Sequence, residues 1–351
     1  MIDDPLDIAL NGVIERKEPI GPTRKLLKYL EGDDYLLQMD WSSIECFTEC
    51  DRMAFFKLIH SRSTYQQAAL TYGAAIHNAL EYLYRNSSRR HDPGFALEMA
   101  AVAEPEFIAN PVPLGEWRTF DFCKLAIAVY LKEYFMEPFT VATINDAFAV
   151  ELPFAYHMGE ININELIQYP RSLLVADCEG QNEAFYVRKI VVDWTGIIDL
   201  VIEHNNQLKI CDHKTTSVVG DSYFKSFELS TQLIGYVWAA RNLIDASINS
   251  VLLNCIAGRK PTKTGKSHEP LRRFYQYSRD KINGFQDNML ALIKNFMSNV
   301  VEQSFPMKTS WCVNKFGTCP FFDVCTQDTD VQMNLLYSSM YARNTWNPIK
   351  H

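Results

Sequence analysis

The sequence predicts an α/β fold in which helices flank a mixed β-sheet, and two observations lead to this prediction. Apolar residues follow helical spacing in some segments and strand-like patterns in others, in the order helix, three strands, helix, strand. The composition is 47% hydrophobic and 22% charged over 351 residues, as expected of a globular chain that buries a large core. The chain is therefore predicted to form one elaborated α/β domain.

The N-terminal half is predicted to be mainly helical. Residues 1–40 are polar and are predicted to be irregular apart from one short helix. An insertion at about 87–145 combines a loop, a proline-rich stretch and an amphipathic segment. The predicted helices of this half lie at 22–31, 43–60, 64–86, 94–102 and 121–136.

The C-terminal half is predicted to supply the sheet. A loop with some local helix, 158–181, separates the first strand from the second. The second strand, 184–203, is either one long strand or a bent pair. The strands are predicted at 147–156, 184–203, 207–213, 249–257 and 271–277, and the helices at 228–243, 279–301 and 330–341.

Charged residues lie at the end of the predicted hairpin 196–215, GIIDLVIEHNNQLKICDHKT. A turn at Asn205-Asn206 joins two apolar strands, so Asp199 lies roughly opposite Asp212. Asp212 and Lys214 are two residues apart and therefore point to the same face of their strand. Buried carboxylates usually pair or bind metal, and their oxygens suit Mg²⁺ or Mn²⁺. The alternative is a surface hairpin with ordinary ion pairs.

Further motifs flank this hairpin in a defined order. Gly73 to His77, GAAIH, opens a helix, Glu151 lies on a strand in AVELPF, and Gln232 to Tyr236, QLIGY, follows on a later helix. Together with G-x-x-D and D-x-K-T in the hairpin, this set resembles the PD-(D/E)xK nuclease superfamily, in its RecB-like and Cas4-like branch. The resemblance covers about residues 42–325. It implies a restriction-endonuclease-like core, with a central mixed sheet between helices.

The resemblance implies a metal site. His77, Asp199, Asp212 and the carbonyl of His213 would bind one or two Mg²⁺ or Mn²⁺ ions. Glu151 would be a further catalytic or supporting carboxylate. Each of these residues taken alone also has a structural explanation; His77, for example, could pair with Glu81 one helical turn away.

The resemblance also implies catalytic and substrate-binding roles. Lys214 would position the attacking water or stabilise charge on the phosphoryl group. Gln232 and Tyr236 share one helix face and would lie beside the DNA. As an isolated pair, they would be ordinary half-buried helix residues.

Nine cysteines and an acidic N-terminus without a signal-peptide pattern indicate reduced thiols rather than a disulfide framework. Cys312, Cys319 and Cys325 form a C-terminal trio, and Cys50 precedes the other motifs. This layout resembles the iron–sulfur members of the branch and implies a [4Fe–4S] cluster that joins the N-terminal helix to the C-terminal segment. Zinc or no metal at all are the alternatives, and Cys46 is a rival to Cys50.

The charge pattern permits a local DNA-binding groove. The net charge of −8 argues against a surface that is basic throughout. The loop Gly258–Arg273 is the best candidate for a DNA contact, because it carries six cations against the single Glu269. The alternative is a solvated hairpin tip. No apolar run approaches the roughly 20 residues that a membrane-spanning helix needs, so no membrane partner is predicted.

The sequence and the resemblance together predict a Mg²⁺- or Mn²⁺-dependent deoxyribonuclease. Exonuclease action on DNA ends or single strands is the leading form, in repair, recombination, or phage- or CRISPR-related processing. The alternatives are a structure-specific endonuclease and a non-catalytic DNA-binding subunit. The resemblance further implies products with a 5′-phosphate and a 3′-hydroxyl.

The predicted organisation has three parts. Residues 42–326 form the nuclease domain, with the cysteine segment at 312–325, and residues 1–41 and 327–351 are tails. No phosphate-binding G-x-x-x-x-G-K-[ST] motif is present, so a helicase or recombination partner would be a separate chain. We expect a cytoplasmic protein.

Overall fold

The computed structural model describes residues 27–30, 34–60, 62–63, 67–163, 173–176, 182–185, 188–262, 267–302, 304–314 and 317–343. Within these ranges, a mixed sheet of eight strands lies between helices. The predicted α/β class is confirmed.

The strands are numbered in chain order. Eight of them form the central sheet and the others form short two-stranded pairs. Their bounds are β1 Leu27–Tyr29, β2 Asp34–Met39, β3 Arg62–Ser63, β4 Thr140–Val141, β5 Thr143–Ile144, β6 Ala147–Phe148, β7 Val150–Asn162, β8 Leu173–Ala176, β9 Asn182–Phe185, β10 Lys189–His204, β11 Gln207–Thr216, β12 Ser250–Gly258, β13 His268–Gln276, β14 Val313–Asn314, β15 Gly317–Thr318 and β16 Ala342–Arg343.

The α-helices are numbered in the same way. Their bounds are α1 Trp41–Glu49, α2 Asp51–Ala54, α3 Ala68–Arg85, α4 Phe95–Ala109, α5 Phe120–Glu133, α6 Asp221–Lys225, α7 Thr231–Leu243, α8 Arg279–Asn283, α9 Phe285–Val301, α10 Phe322–Cys325 and α11 Thr329–Leu336. A π-helical turn at Phe55–Ile59 continues α2, and short 3₁₀ turns lie at Ser87–Arg89, Ser226–Leu229 and Thr309–Trp311.

Strand β10 organises the sheet. Its first half pairs with β2 in parallel and with β7 in antiparallel register, and its second half pairs with β11 in antiparallel register. Strand β11 then pairs with β12 in parallel, and β12 with β13 in antiparallel register. The sheet is therefore mixed, and the long β10 joins its two halves.

A two-residue turn closes the hairpin between β10 and β11. His204 pairs with Gln207, and the intervening Asn205 and Asn206 have φ values of 53° and 57°. Asparagine tolerates this left-handed conformation, which a tight hairpin turn requires at both positions. The predicted turn is confirmed, and it brings Asp199 and Asp212 onto neighbouring strands.

Two apolar clusters cover the two faces of the sheet. Neighbouring residues of β10 alternate between them: Val201 belongs to the first cluster and Leu200 to the second. Helices α1, α7 and α9 contribute buried side chains to the first cluster, and helices α3, α4 and α5 to the second. Helices on opposite faces can therefore reach the same end of β10 and β11.

A third, smaller cluster joins the two ends of the described chain. Phe56 after α2 packs against Phe321, Val324, Leu336 and Tyr341 of the C-terminal segment. Strand β16 also pairs with β3. This contact places the C-terminal cysteines next to the end of α1.

Some predicted elements are wrong. The helix at 22–31 conflicts with β1, and the irregular segment 1–40 contains β1 and β2 within its described part. The alternation of buried Tyr35, Leu37 and Met39 was a readable strand signal in β2.

The predicted loop 158–181 is also wrong where the structure describes it, because β7 extends to Asn162 and Leu173–Ala176 is a strand. The helix predicted at 94–102 continues to Ala109 and includes Pro105. Pro105 has no N–H to donate to the carbonyl of Ala101. Because Ala101 lies on the exposed face of the helix, water can bond to that carbonyl.

Candidate active site

Three ligand-type side chains converge where the start of β7 runs beside the second half of β10. His77 of α3, Glu151 of β7 and Asp199 of β10 each offer an atom within 4.8 Å of the others. His77 Nδ1 lies 3.8 Å from Asp199 Oδ2. Residues 74 and 122 positions apart along the chain thus meet at one point, as a metal centre requires.

Helix α3 reaches this point because it lies close to β11. A Cβ atom on Gly73 would lie only 3.2 Å from the Thr215 hydroxyl oxygen, so the absence of a side chain permits the approach. One turn further along, His77 Nε2 lies 3.1 Å from the carbonyl oxygen of His213. The spacing of the GAAIH motif therefore serves both the packing and the placement of the imidazole.

Asp199 is held as a carboxylate. The backbone N–H of His213 donates to Asp199 Oδ2 at 2.6 Å. Burial opposes ionisation of this carboxyl, but the nearby His77, His213 and Lys214 outweigh it and lower the pKa of Asp199. A negative charge at this position is what a bound cation needs.

Glu151 has an unusual backbone. Its φ is 48°, a left-handed conformation that is uncommon for glutamate and is often found at functional sites. Burial, with the charges of Asp199 and Glu81, raises the pKa of Glu151 to about 9. The Arg85 guanidinium donates to the carbonyl of Val150 at 3.0 Å and so supports the turn beside Glu151.

Beside this group, the buried Asp212 forms an ion pair with the half-buried Lys214. Lys214 Nζ donates to Asp212 Oδ1 at 3.0 Å and lies 2.9 Å from Oδ2. Burial raises the pKa of Asp212 to about 6, against the opposing effect of Lys214. Burial also acts to lower the pKa of Lys214, but the charges of Asp212 and Asp199 outweigh it and raise that pKa.

Gln232 and Tyr236 of α7 approach from the other face of the sheet. Gln232 Nε2 donates to the Tyr236 hydroxyl at 3.3 Å, so the two residues share a helix face as predicted. The Tyr236 ring packs on the backbone of Gly196, where a Cβ atom would lie 3.1 Å from it. Burial and the charges of Asp212 and Asp199 raise the pKa of Tyr236, so its hydroxyl remains a donor.

The donor set fits a divalent cation. Asp212 Oδ2 is buried, and its charge is already paired with the Lys214 ammonium at 2.9 Å. His77, Glu151 and Asp199 supply one nitrogen and two carboxylates within reach of the same point. Asp212 does not belong to that compact group, although it had been predicted as a direct ligand.

The four predicted cluster cysteines line one cavity. It has a volume of about 220 Å³ and is bordered by Cys50, Cys312, Cys319 and Cys325. Every cysteine within the described ranges is a free thiol. The rival Cys46 does not border this cavity and is 2% exposed, and its burial raises the pKa of that thiol to about 12.

The cavity thiols influence one another. Burial raises the pKa of Cys325 to about 11, and the neighbouring Cys319 and Cys50 add to this effect. Thiolates bind metal and thiols do not, so a metal bound here would displace protons. The backbone N–H of Lys308 also donates to Cys50 Sγ at 3.5 Å, which ties the two chain segments together at the cavity.

The predicted basic loop is less available to DNA than its sequence indicates. Arg272 is buried, with a side-chain exposure of 11%. Arg259 pairs with Glu269, and Arg273 lies 3.7 Å from Asp221. Lys263 and Lys266 fall outside the described residues, and Lys260 is exposed.

The sequence reasoning named Glu81 only as an alternative partner of His77, and it missed Arg85 and Glu45. Glu81 pairs with Arg85 at 2.8 Å rather than with His77. The i,i+4 spacing of Glu81 and Arg85 was a readable signal for this pair. Glu45 of α1 is close enough to Lys214 to affect its ionisation, while burial raises the pKa of Glu45 itself. No local pattern announces that contact.

One family model matches most of the chain. The family model described as the PD-(D/E)XK nuclease superfamily matches residues 40–326. Among solved structures, the chain is similar to an exonuclease candidate from Eubacterium rectale, with 12% identity and a TM-score of 0.42 over 78% of this chain and 85% of that one. It is also similar to SSO0001, with 13% identity and a TM-score of 0.25 over 66% of this chain and 78% of that one. A search of curated proteins found no match. Within the described ranges, the helices are too short or too polar to cross a bilayer.

Proposed function

Because the chain belongs to the PD-(D/E)XK nuclease superfamily, we propose that it is a metal-dependent deoxyribonuclease that acts at DNA ends or on single strands. One observation carries the proposal: the ligand atoms of His77, Glu151 and Asp199 lie within 4.8 Å of one another, in the charge environment of the Asp212–Lys214 pair. Carboxylates with an imidazole bind divalent cations, and a lysine stabilises charge that develops on a phosphoryl group.

The metal would be held by chain groups that the geometry brings together. His77, Glu151 and Asp199 are the proposed ligands, and the carbonyl of His213 and the carboxylate of Asp212, which also faces Lys214, are further donors. When bound, a divalent ion would lower the pKa of a water molecule and polarise a phosphoryl oxygen.

The neighbouring side chains have separate tasks. Lys214 stays protonated because the charges of Asp212 and Asp199 raise its pKa, so it can donate to a phosphoryl oxygen or orient the water. Asp212 holds the Lys214 ammonium in place. Tyr236 and Gln232 offer neutral donors from α7 on the other face of the sheet, where they would hold the DNA backbone or stack a base.

We propose Mn²⁺ or Mg²⁺ as the cation. Carboxylates and carbonyl oxygens suit both ions, whereas an imidazole favours the transition metal. We therefore expect Mn²⁺ to support cleavage at a lower concentration than Mg²⁺. Exonuclease action is proposed because the motif set resembles the RecB-like branch, and a separate helicase or recombination protein would deliver the unwound strand.

We also propose that the cysteine cavity holds a [4Fe–4S] cluster rather than zinc. Zinc binds thiolates at about 2.3 Å in a tetrahedron, which sets the sulfurs about 3.8 Å apart. Among the described residues, no three of the cavity sulfurs lie within 4.8 Å of one another. A cavity of about 220 Å³ bordered by four thiols favours a larger group. Its role would be to join the N-terminal helix to the C-terminal segment.

The test is a cleavage assay on end-labelled single-stranded, duplex and circular DNA with Mn²⁺ or Mg²⁺. Metal-dependent loss of linear strands, absent with EDTA, with Asp212→Ala and on circles, would support an exonuclease. Cleavage of circles would instead indicate an endonuclease. Failure of anaerobically purified, iron-replete protein to cut any substrate would contradict the proposal and favour a DNA-binding subunit.

A further inference from the structure

A buried polar network lies behind β11, on the side away from α7. Its members are enclosed in the second apolar cluster, yet they are polar or charged. Arg90 and Glu137 have side-chain exposures of 6% and 9%, and Arg272 of 11%. The members are Tyr84, Arg90, Tyr130, Glu137, Asn254 and Arg272. Three of them, Arg90, Tyr130 and Glu137, belong to the insertion at about 87–145.

The charges of the network are matched by partners. Glu137 accepts from Arg272 at 2.9 Å and from Arg90 at 3.1 Å. The guanidinium of Arg272 also lies 3.5 Å from the centre of the Tyr134 ring. Buried ion pairs add little to stability on average, and in some proteins they serve to fix one arrangement. The ion pairs among Arg90, Glu137 and Arg272 are therefore expected to hold neighbouring side chains in one position.

Arg272 determines which atoms of the Asn254 amide accept hydrogen bonds and which donate them. A guanidinium only donates, so the atom that faces Arg272 Nε at 3.0 Å is Asn254 Oδ1. The amide nitrogen of Asn254 then donates to His213 Nδ1 at 2.9 Å and to the Tyr130 hydroxyl at 2.8 Å. Tyr130, which already accepts, donates to Tyr84, and Tyr84 donates to Glu137 at 3.0 Å. The network has one consistent order of donors and acceptors.

The chain of hydrogen bonds ends at His213, which contacts two of the proposed metal ligands, Asp199 and His77. The His213 ring accepts from Asn254 and stacks on the Tyr84 ring at 5.6 Å. The backbone N–H of His213 donates to Asp199 Oδ2 at 2.6 Å, and its carbonyl oxygen lies 3.1 Å from His77 Nε2. The contacts of the ring with Asn254 and Tyr84 therefore anchor the residue whose peptide touches both ligands.

We propose that Asn254, supported by Arg272 and Tyr130, positions the His213 peptide for metal binding. The helical insertion then takes part in the metal site although none of its residues touches the metal. This inference rests on the proposed function of the same site. Loss of a group that orients a ligand typically weakens metal affinity about 10- to 100-fold.

The test measures Mn²⁺ binding by calorimetry on DNA-free protein, with unfolding curves as a check of the fold. Asn254→Leu keeps the branched shape of the side chain but removes all three of its hydrogen bonds, to Arg272, His213 and Tyr130. We expect the Mn²⁺ dissociation constant of this variant to rise about 10- to 100-fold. Tyr130→Phe removes one hydroxyl and should give a smaller rise. Tyr134→Phe is the matched control, because its ring stays over Arg272 and its hydroxyl bonds to no described residue. The Mn²⁺ concentration for half-maximal cleavage should rise by the same factor.

The outcomes separate this inference from the proposed function. If Asn254→Leu and Tyr130→Phe only lower stability and bind Mn²⁺ like the unmodified protein, while His77→Ala abolishes binding, the network is structural and the inference fails. If the unmodified protein binds no Mn²⁺, or His77→Ala binds it normally, the proposed metal site is wrong and the inference fails with it.

Discussion

Replacement of Glu151 by glutamine is expected to have opposite effects on stability in the absence and in the presence of metal. Burial and the charges of Asp199 and Glu81 raise the pKa of Glu151 to about 9 from its ordinary 4.5. Between about pH 4.5 and pH 9, this carboxyl is therefore protonated in the folded state and ionised in the unfolded chain. Stability contributed by the protonated carboxyl is complete below about pH 4.5 and is lost as the pH rises towards 9.

The size of the effect follows from the pKa difference. Each unit corresponds to about 1.4 kcal/mol, so a rise from 4.5 to about 9 sets an upper limit of about 6 kcal/mol. At about pH 8, most of this free-energy difference already destabilises the folded protein. Glu151 is only half-buried, and water reduces the penalty. We therefore expect Glu151→Gln to stabilise the metal-free protein by about 2 kcal/mol at about pH 8 and to have little effect near pH 5.

The assay is urea unfolding of both proteins, in EDTA and with saturating Mn²⁺, at the two pH values. Bound Mn²⁺ should stabilise the unmodified protein through mass action, and should stabilise the variant much less. A variant that is less stable than the unmodified protein in EDTA at about pH 8, or equally stabilised by Mn²⁺, would refute the reasoning. Glu160→Gln on the same strand is the matched control, because Glu160 contacts Lys189 on the exposed surface.

Three further predictions concern other parts of the molecule. Lys214→Ala should reduce cleavage about 10³-fold while Mn²⁺ binding persists. The variant lacks the cation beside Asp212 but keeps the compact ligand group. Cleavage at the normal rate would show that the site assignment is wrong. Gly196→Ala would place a methyl group 3.0 Å from the Phe154 ring and 3.1 Å from the Tyr236 ring. We expect the displaced Tyr236 to lower DNA affinity in a gel-shift assay with Ca²⁺, without a change in Mn²⁺ affinity. Cys319→Ala should lower the iron content and the melting temperature together, as measured by metal analysis and calorimetry; full iron content in the variant would exclude Cys319 as a ligand.

Several features of the site could be read from the sequence because they depend on short-range geometry. Two asparagines at a hairpin turn fix which strand residues face each other, so the approach of Asp199 and Asp212 was predictable. The spacing of Gln232 and Tyr236 placed them on one helix face. The close packing that Gly73 permits was not predicted, because its neighbour Thr215 lies far away in the sequence.

Other features depended on contacts between distant segments. The strand β2 had a readable alternation, yet its parallel partner lies about 150 residues away, and no local signal names that partner. The left-handed backbone of Glu151 arises from a site that several elements define together. Arg272 looked like a DNA contact in a basic loop, but the fold buries it against Glu137.

The sequence by itself determined the α/β class, the order of the core elements, and the chemistry of the residues at the hairpin end. These depend on periodicity, turn preference and spacing, which act within a few residues. Only the tertiary structure decided that Glu151 lies within reach of His77 and Asp199, and that Asp212 lies beside them in an ion pair with Lys214. The positions of these side chains depend on how β7, β10, β11 and α3 pack against one another. These elements are distant in sequence, so no local pattern determines their packing.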